Sequence, residues 1–183
     1  MTSPQPLTTP ALQALLEDAT LAGTWVLDPA TSAVGLTTRH TWGLAPLSGA
    51  FRQVEGEGTV APDGQVSGTL TIAAASIDTK SKRRDADLRS AKLFDVGTYP
   101  DITFTLDRIT PGTGGVTVAG RLTVRDRTRP VSFPAQVSVP ASGEVWLDGE
   151  IQVNRADFGL TYNPLRMASL KNTITVHAVF SKR

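Results

Sequence analysis

The sequence predicts an all-β antiparallel barrel, and three observations carry that expectation. From Thr24 onward apolar and polar residues alternate with a period of two. Short turn signals separate the alternating runs, and about eight such runs follow one another. A period of two is the mark of strands with one buried face. A string of them joined by tight turns is a meander, whose shared apolar face must close on itself or pack as two sheets. The last run is long, regular and able to pair with the first, which favours a closed barrel.

Taken in order, residues 1–22 form an arm and residues 23–183 the barrel. In the arm, Thr9 can cap a short helix with Pro10 at its first position. Leu12, Leu15, Leu16 and Ala19 then share one face, and Gly23 lies just past the end. Such a helix plugs or covers a barrel end, frays as a tail, or meets a partner or membrane.

The strand rows follow. Val34, Leu36 and Thr38 alternate with Gly35, Thr37 and Arg39, and Val66, Gly68, Leu70 and Ile72 with Ser67, Thr69 and Thr71. Ile102, Phe104 and Leu106 form a third row. Val116, Val118, Gly120, Leu122 and Val124 form the clearest one, opposed by Thr117, Arg121 and Thr123. Val131 to Val139 and Val145 to Val153 continue the pattern, and Ile174, Val176, Ala178 and Phe180 close it. Pro62-Asp63-Gly64, Pro111-Gly112 with Gly114-Gly115, Arg125 to Arg129, and Ala141-Ser142-Gly143 supply the turns. One segment, Ser81 to Phe94, breaks the alternation. Leu88, Ala91 and Phe94 there predict a short helix from Arg84 to Phe94.

Composition narrows the function classes. A net charge of +1 gives no whole-chain argument for nucleic acid or an anionic membrane. The absence of Cys removes disulfides, thiolate catalysis and Cys-based metal sites together. No run approaches the roughly 18 apolar residues of a spanning helix. Met1 to Thr9 carries no Lys or Arg, and Gln13, Glu17 and Asp18 interrupt the leucines, so no secretory leader is read and a cytoplasmic location is expected.

Glycine falls where side chains are expected: Gly68, Gly120 and Gly149 each stand on an apolar row. Either they bend the strands or they widen a lumen, and the two are compatible. The rows nominate Val34, Leu36, His40, Gly68 and Leu70 as lumen residues, with Phe104, Gly120, Leu122 and Gly149. Walls of this kind hold a hydrocarbon but offer little chemistry. His40 and His177 lie in different strands on opposite parities, so no metal site and no cofactor are expected. No catalytic constellation is read; Arg155, Asp157 and His40 are the only polar candidates for one. The cluster from Lys80 to Arg89 reads as a self-compensated helix start, with Arg84 or Arg89 able to meet a phosphate or other polar head group at a barrel mouth. No aromatic residue interleaves these bases, which argues against nucleic acid. Trp146, beside Asp148 and Glu150 on the polar row, reads as an exposed interface residue and points to a homodimer.

Several strings then converge. Leu27-Asp28-Pro29-Ala30 with Ser32, Val34 and His40, Gly49-Ala50-Phe51, and Ser76-Ile77-Asp78-Thr79 resemble the motifs of one family. So do Arg84-Asp85, Leu88-Arg89-Ser90, Phe94-Asp95-Val96 and Tyr99-Pro100, as do Gly120 to Val124 and Asn154-Arg155 with Asp157-Phe158-Gly159. From Gly23 onward the chain resembles the YceI-like, lipocalin-like proteins, also called polyisoprenoid-binding proteins. The resemblance implies an extended eight-stranded barrel, a helix after the central motif, and a long isoprenoid or quinone-like chain in the lumen, bound and carried or stored. It also implies a homodimer. It adds Phe51, Phe94 and Phe158 to the lumen set and Arg155 to the head-group candidates. The alternative is a packed barrel that works through its outer face. The chain departs from the family at Thr31 and Asp87, where histidine is usual, and at Asp126, where glycine is.

Overall fold

The structure, a computed structural model, describes residues 18–40 and 45–183, and 6–8, 10, 11 and 14 of the arm. The side chains of Ala19, His40, Ala45 and Leu165 lie outside that description, as does most of the helix expected in the arm.

Among the described residues eleven strands run β1 Gly23–Leu27, β2 Ala33–His40, β3 Ala45–Phe51, β4 Val54–Val60, β5 Val66–Ala73 and β6 Ile77–Asp78, then helix α1 Lys82–Arg89. They continue as β7 Asp101–Gly112, β8 Gly115–Val124, β9 Arg127–Ser138, β10 Val145–Asn154 and β11 Lys171–Lys182. Eight of them, in the order β1-β4-β5-β7-β8-β9-β10-β11, close a ring through Trp25↔Lys182 and Leu27↔Phe180. Along its earlier residues β11 pairs instead with β2, which pairs with β3, which pairs with β6. This extension lengthens the wall at one end, called the helix end because α1 and the loop to β7 lie between β6 and β7.

The alternation produces the wall. In β8, Val116, Val118, Leu122 and Val124 are buried while Thr117 and Arg121 are exposed, and Phe133, Ala135 and Val137 repeat this in β9. Each such side chain contributes about 1.5–3 kcal/mol on burial. One seam is weak. The β9 ladder to β8 runs unbroken past Pro130 and Pro134, so both proline nitrogens point at β10, and pairing with β10 stops at Gly149↔Ala135.

Four expectations need correction. The helix spans Lys82–Arg89, not Arg84 to Phe94: Ser81 Oγ accepts from the Arg84 amide (3.5 Å), and Ser90 turns back to the Asp87 carbonyl (3.2 Å). Phe94 is buried by a reversal in which its amide donates to the Leu88 carbonyl (2.9 Å), and Asp95 takes φ 50°. The turn expected over Arg125 to Arg129 is only Arg125-Asp126, with Arg125 at φ 58°, and β9 begins at Arg127. Trp146 lies on the outer row but is half-buried. Its indole N–H donates to Glu144 (3.1 Å) and its ring meets His177 edge-on at 5.6 Å.

The fourth concerns glycine. A Cβ on Gly120 would strike the Thr105 carbonyl and the Phe104 ring (2.5 Å), and one on Gly149 would strike the Phe133 ring at 2.8 Å. Neither widens the lumen. Each makes room for a phenylalanine, and the two rings meet edge-to-face at 6.1 Å.

Candidate functional site

Inside the ring lies a cavity of about 500 Å³. Its size falls in the range of small-molecule sites, and its wall is almost wholly apolar. Val34, Leu36, Phe51 and Leu70 reach it, with Phe94, Phe104, Leu122 and Phe158. Gly68 reaches it too, facing Gly58 across the β4–β5 ladder, so the wall there is bare backbone. Gly120 and Gly149 do not. His40 ends β2 opposite Ala45, and its side chain lies outside the described residues.

One end is closed by residues the sequence reading passed over. Trp25 is 6 % exposed, its indole N–H donates to the Leu21 carbonyl (2.9 Å), and both residues line the cavity. Near this end the Leu7 amide bonds to the Val137 carbonyl (2.8 Å), and its side chain packs against the Val116–Val118–Phe133 cluster. At the helix end the lining turns polar, with Arg84, Asp87, Arg155, Tyr162 and Asn163. Tyr162 is 44 % exposed there, which marks a mouth.

The three arginines nominated for a head group differ in kind. Arg89 does not line the cavity; its Nη2 donates to the Ile77 carbonyl (2.7 Å) and ties α1 to β6. Arg84 is half-buried and gives Nε to the Thr79 hydroxyl (2.8 Å) and Nη2 to the Thr79 carbonyl (2.7 Å). The same Thr79 hydroxyl and amide donate to buried Asp85 (2.6 and 2.9 Å), and these bonds hold the Asp85 carboxyl below its ordinary range.

Arg155 opens a short 3₁₀ turn, Arg155–Phe158, capped by the Asn154 side chain and ended by Gly159 at φ 76°. Its guanidinium spans the β10–β11 connection, with Nε donating to Ser169 (3.2 Å) and Nη1 to the Leu160 and Tyr162 carbonyls (2.6 and 3.1 Å). No carboxylate pairs with it among the described residues, Nη2 has no acceptor there, and burial lowers its pKa. It remains protonated at any physiological pH. The site therefore offers an oily interior and, at its mouth, a fixed cation with a spare donor.

Two departures from the family pattern fall in different surroundings. Thr31 sits in the exposed β1–β2 turn, its hydroxyl bonded to Asp28 (2.7 Å), away from the cavity. Asp87 lines the mouth. Among the described residues no group of His, Cys, Asp and Glu is placed to hold a metal ion, and no helix is long and apolar enough to cross a membrane.

Known proteins share this architecture. The chain is 30% identical over 98 residues to the UPF0312 protein YE1254 of Yersinia enterocolitica, covering 52% of this chain and 51% of that one. It is 27% identical over 127 residues to Protein YceI of Salmonella arizonae, covering 65% and 66%. It thus spans about half of the first relative and just under two thirds of the second. Among solved structures, Burkholderia cenocepacia BcnA superposes with a TM-score of 0.75 at 25% identity, over 84% of this chain and 98% of that one. A polyisoprenoid binding domain from Saccharophagus degradans, implicated in plant cell wall breakdown, gives 0.72 at 16% identity, over 87% and 98%. Residues 25–181 match the model of the YceI-like domain, and the chain belongs to that family.

Proposed function

We propose that the barrel binds one long apolar lipid, a polyisoprenoid or quinone-like chain, with its hydrocarbon in the cavity and its head group at the mouth beside Arg155. The observation that carries this is the apolar cavity of about 500 Å³ with an unpaired guanidinium at its rim. An apolar void lacks the partners that water needs, so a hydrocarbon fills it favourably, at about 0.8 kcal/mol per buried methylene. The Saccharophagus relative, described as a polyisoprenoid binding domain, supports the ligand class. The reading is one of holding, because the wall is almost wholly apolar and suits a hydrocarbon. Carrying or storing the chain, and pairing into a homodimer, belong to the same proposal.

Native mass spectrometry of protein purified without detergent tests it, followed by titration with farnesol and geranylgeraniol. A passenger of isoprenoid mass, or saturable uptake at one chain per barrel, is the expected result. Protein that is empty as purified and takes up neither alcohol would overturn the reading.

A further inference from the structure

The near-neutral total hides a sorted charge distribution. The segments that meet at the helix end, residues 37–40, 45–56, 71–101, 123–129 and 152–173, hold fourteen Lys and Arg against eight Asp and Glu. The remainder of the chain holds four against nine. One end is cationic and the rest anionic.

Some of the helix-end charge is neutralised locally: Asp78 pairs with Arg52 and Lys80, and Asp95 lies 3.9 Å from Arg125. Lys92, Arg166 and Lys171 are exposed and have no carboxylate partner among the described residues. Tyr162 (44 % exposed) and Leu170 (40 %) are the two exposed large apolar side chains among the described residues, with Arg166 between them in sequence and Lys171 directly after. Both belong to the β10–β11 connection at the cavity mouth. Lys92 Nζ stands 5.0 Å from the Tyr162 ring, and the Arg39 carbonyl accepts from the Ser169 amide (2.7 Å), which brings the β2 end to the same rim. Asp157 and Asp87 are the acidic residues nearest in sequence and at the mouth.

An aromatic and an aliphatic tip on a connection that carries bases without carboxylate partners matches the chemistry of a membrane interface, where amphipathic rings sit at head-group depth and cations lie against anionic lipid. We propose that the helix end docks on an anionic bilayer, with Tyr162 and Leu170 entering the interface and Lys92, Arg166 and Lys171 against the head groups. The acidic remainder faces away, so the field of the whole molecule orients the approach. The inference goes beyond ligand binding and does not depend on it: none of the three bases lines the cavity.

Cosedimentation of the full chain with vesicles tests it, using phosphatidylcholine alone and phosphatidylcholine mixed with phosphatidylglycerol. Binding is expected only to the mixed vesicles and should fall as salt rises, because the screening length shrinks from about 10 Å at 0.1 M to about 3 Å at 1 M. The triple variant Lys92→Gln/Arg166→Gln/Lys171→Gln should weaken it by roughly a hundredfold, about fivefold per charge. The matched variant Arg108→Gln/Arg121→Gln/Arg183→Gln, which strips bases from the acidic remainder, should bind as wild type does. Tyr162→Ser/Leu170→Ser should weaken binding without changing its salt dependence. Equal loss from the two charge variants, no preference for phosphatidylglycerol, or binding to a short single-stranded RNA in place of vesicles would each overturn the proposal. Farnesol uptake by the same variants reports separately on the cavity.

Discussion

Replacing Arg155 by glutamine separates the two halves of the proposed ligand. In the structure three backbone carbonyls occupy Nε and Nη1, while Nη2 and the positive charge remain available at the mouth. A hydrogen bond to a charged group is worth about 1.5–3 kcal/mol, so Arg155→Gln should weaken a prenyl diphosphate by roughly ten- to a hundredfold. Farnesol, which buries the same hydrocarbon and carries no charge, should lose almost nothing. The variant also frees carbonyls of Leu160, Tyr162 and Ser169, so some loss of stability is expected. Arg155→Lys provides the control: it restores the charge but cannot span three carbonyls, and it should recover most diphosphate affinity without recovering the stability. Competition against a fluorescent fatty probe, with farnesyl diphosphate and farnesol run side by side, gives both numbers. Equal loss for the two ligands would show that Arg155 merely holds the loop, and no loss for either would remove it from the site.

Gly120→Ala should lower stability by about 1–3 kcal/mol, a fall of several degrees in Tm, because its methyl would strike the Thr105 carbonyl and the Phe104 ring; an unchanged Tm would show that the strand can move aside. Leu70→Trp, on the cavity wall, should reduce farnesol uptake at least tenfold while the circular-dichroism spectrum stays that of a folded barrel. Asp85, held below the ordinary carboxylate range by Thr79, adds stability above that range and surrenders it as pH falls through the lowered value. Denaturation midpoints should therefore drop steeply in acid for wild type and less steeply for Asp85→Asn. Restoring the family's usual residue should have no effect on uptake as Thr31→His, whereas Asp87→His at the mouth should favour anionic lipids, increasingly so below about pH 6.5.

The barrel was readable because its strands carry their own period. Rows such as Val116–Val124 state which side chains go in, and tight turns state the connectivity. The glycine reading failed at Gly120 and Gly149 because an empty position in one strand says nothing about which neighbouring ring fills it; Phe104 and Phe133 come from other strands. The mouth was mostly hidden for a different reason. Tyr162 and Asn163 stand in a segment with no periodicity, and Arg155 was singled out as a polar residue and through motif resemblance, not through any spacing that predicts its three carbonyl partners. Trp25 was legible in principle, two residues from inward-facing Leu27 on the same row. The helix boundary was misplaced because Phe94 looked like the end of a helical face, whereas a backbone reversal buries it.

The double pairing of β11 bears on how this chain assembles. One strand supplies the closing ladder to β1, more than 150 positions away, and also the ladder that joins the β2–β3–β6 extension to the ring. Contacts so distant in sequence form late, since the entropy of bringing their ends together must be met first. Until β11 docks, neither rim of the sheet is sealed and the oily face stays in water. Ring closure and completion of the binding chamber are therefore a single cooperative event.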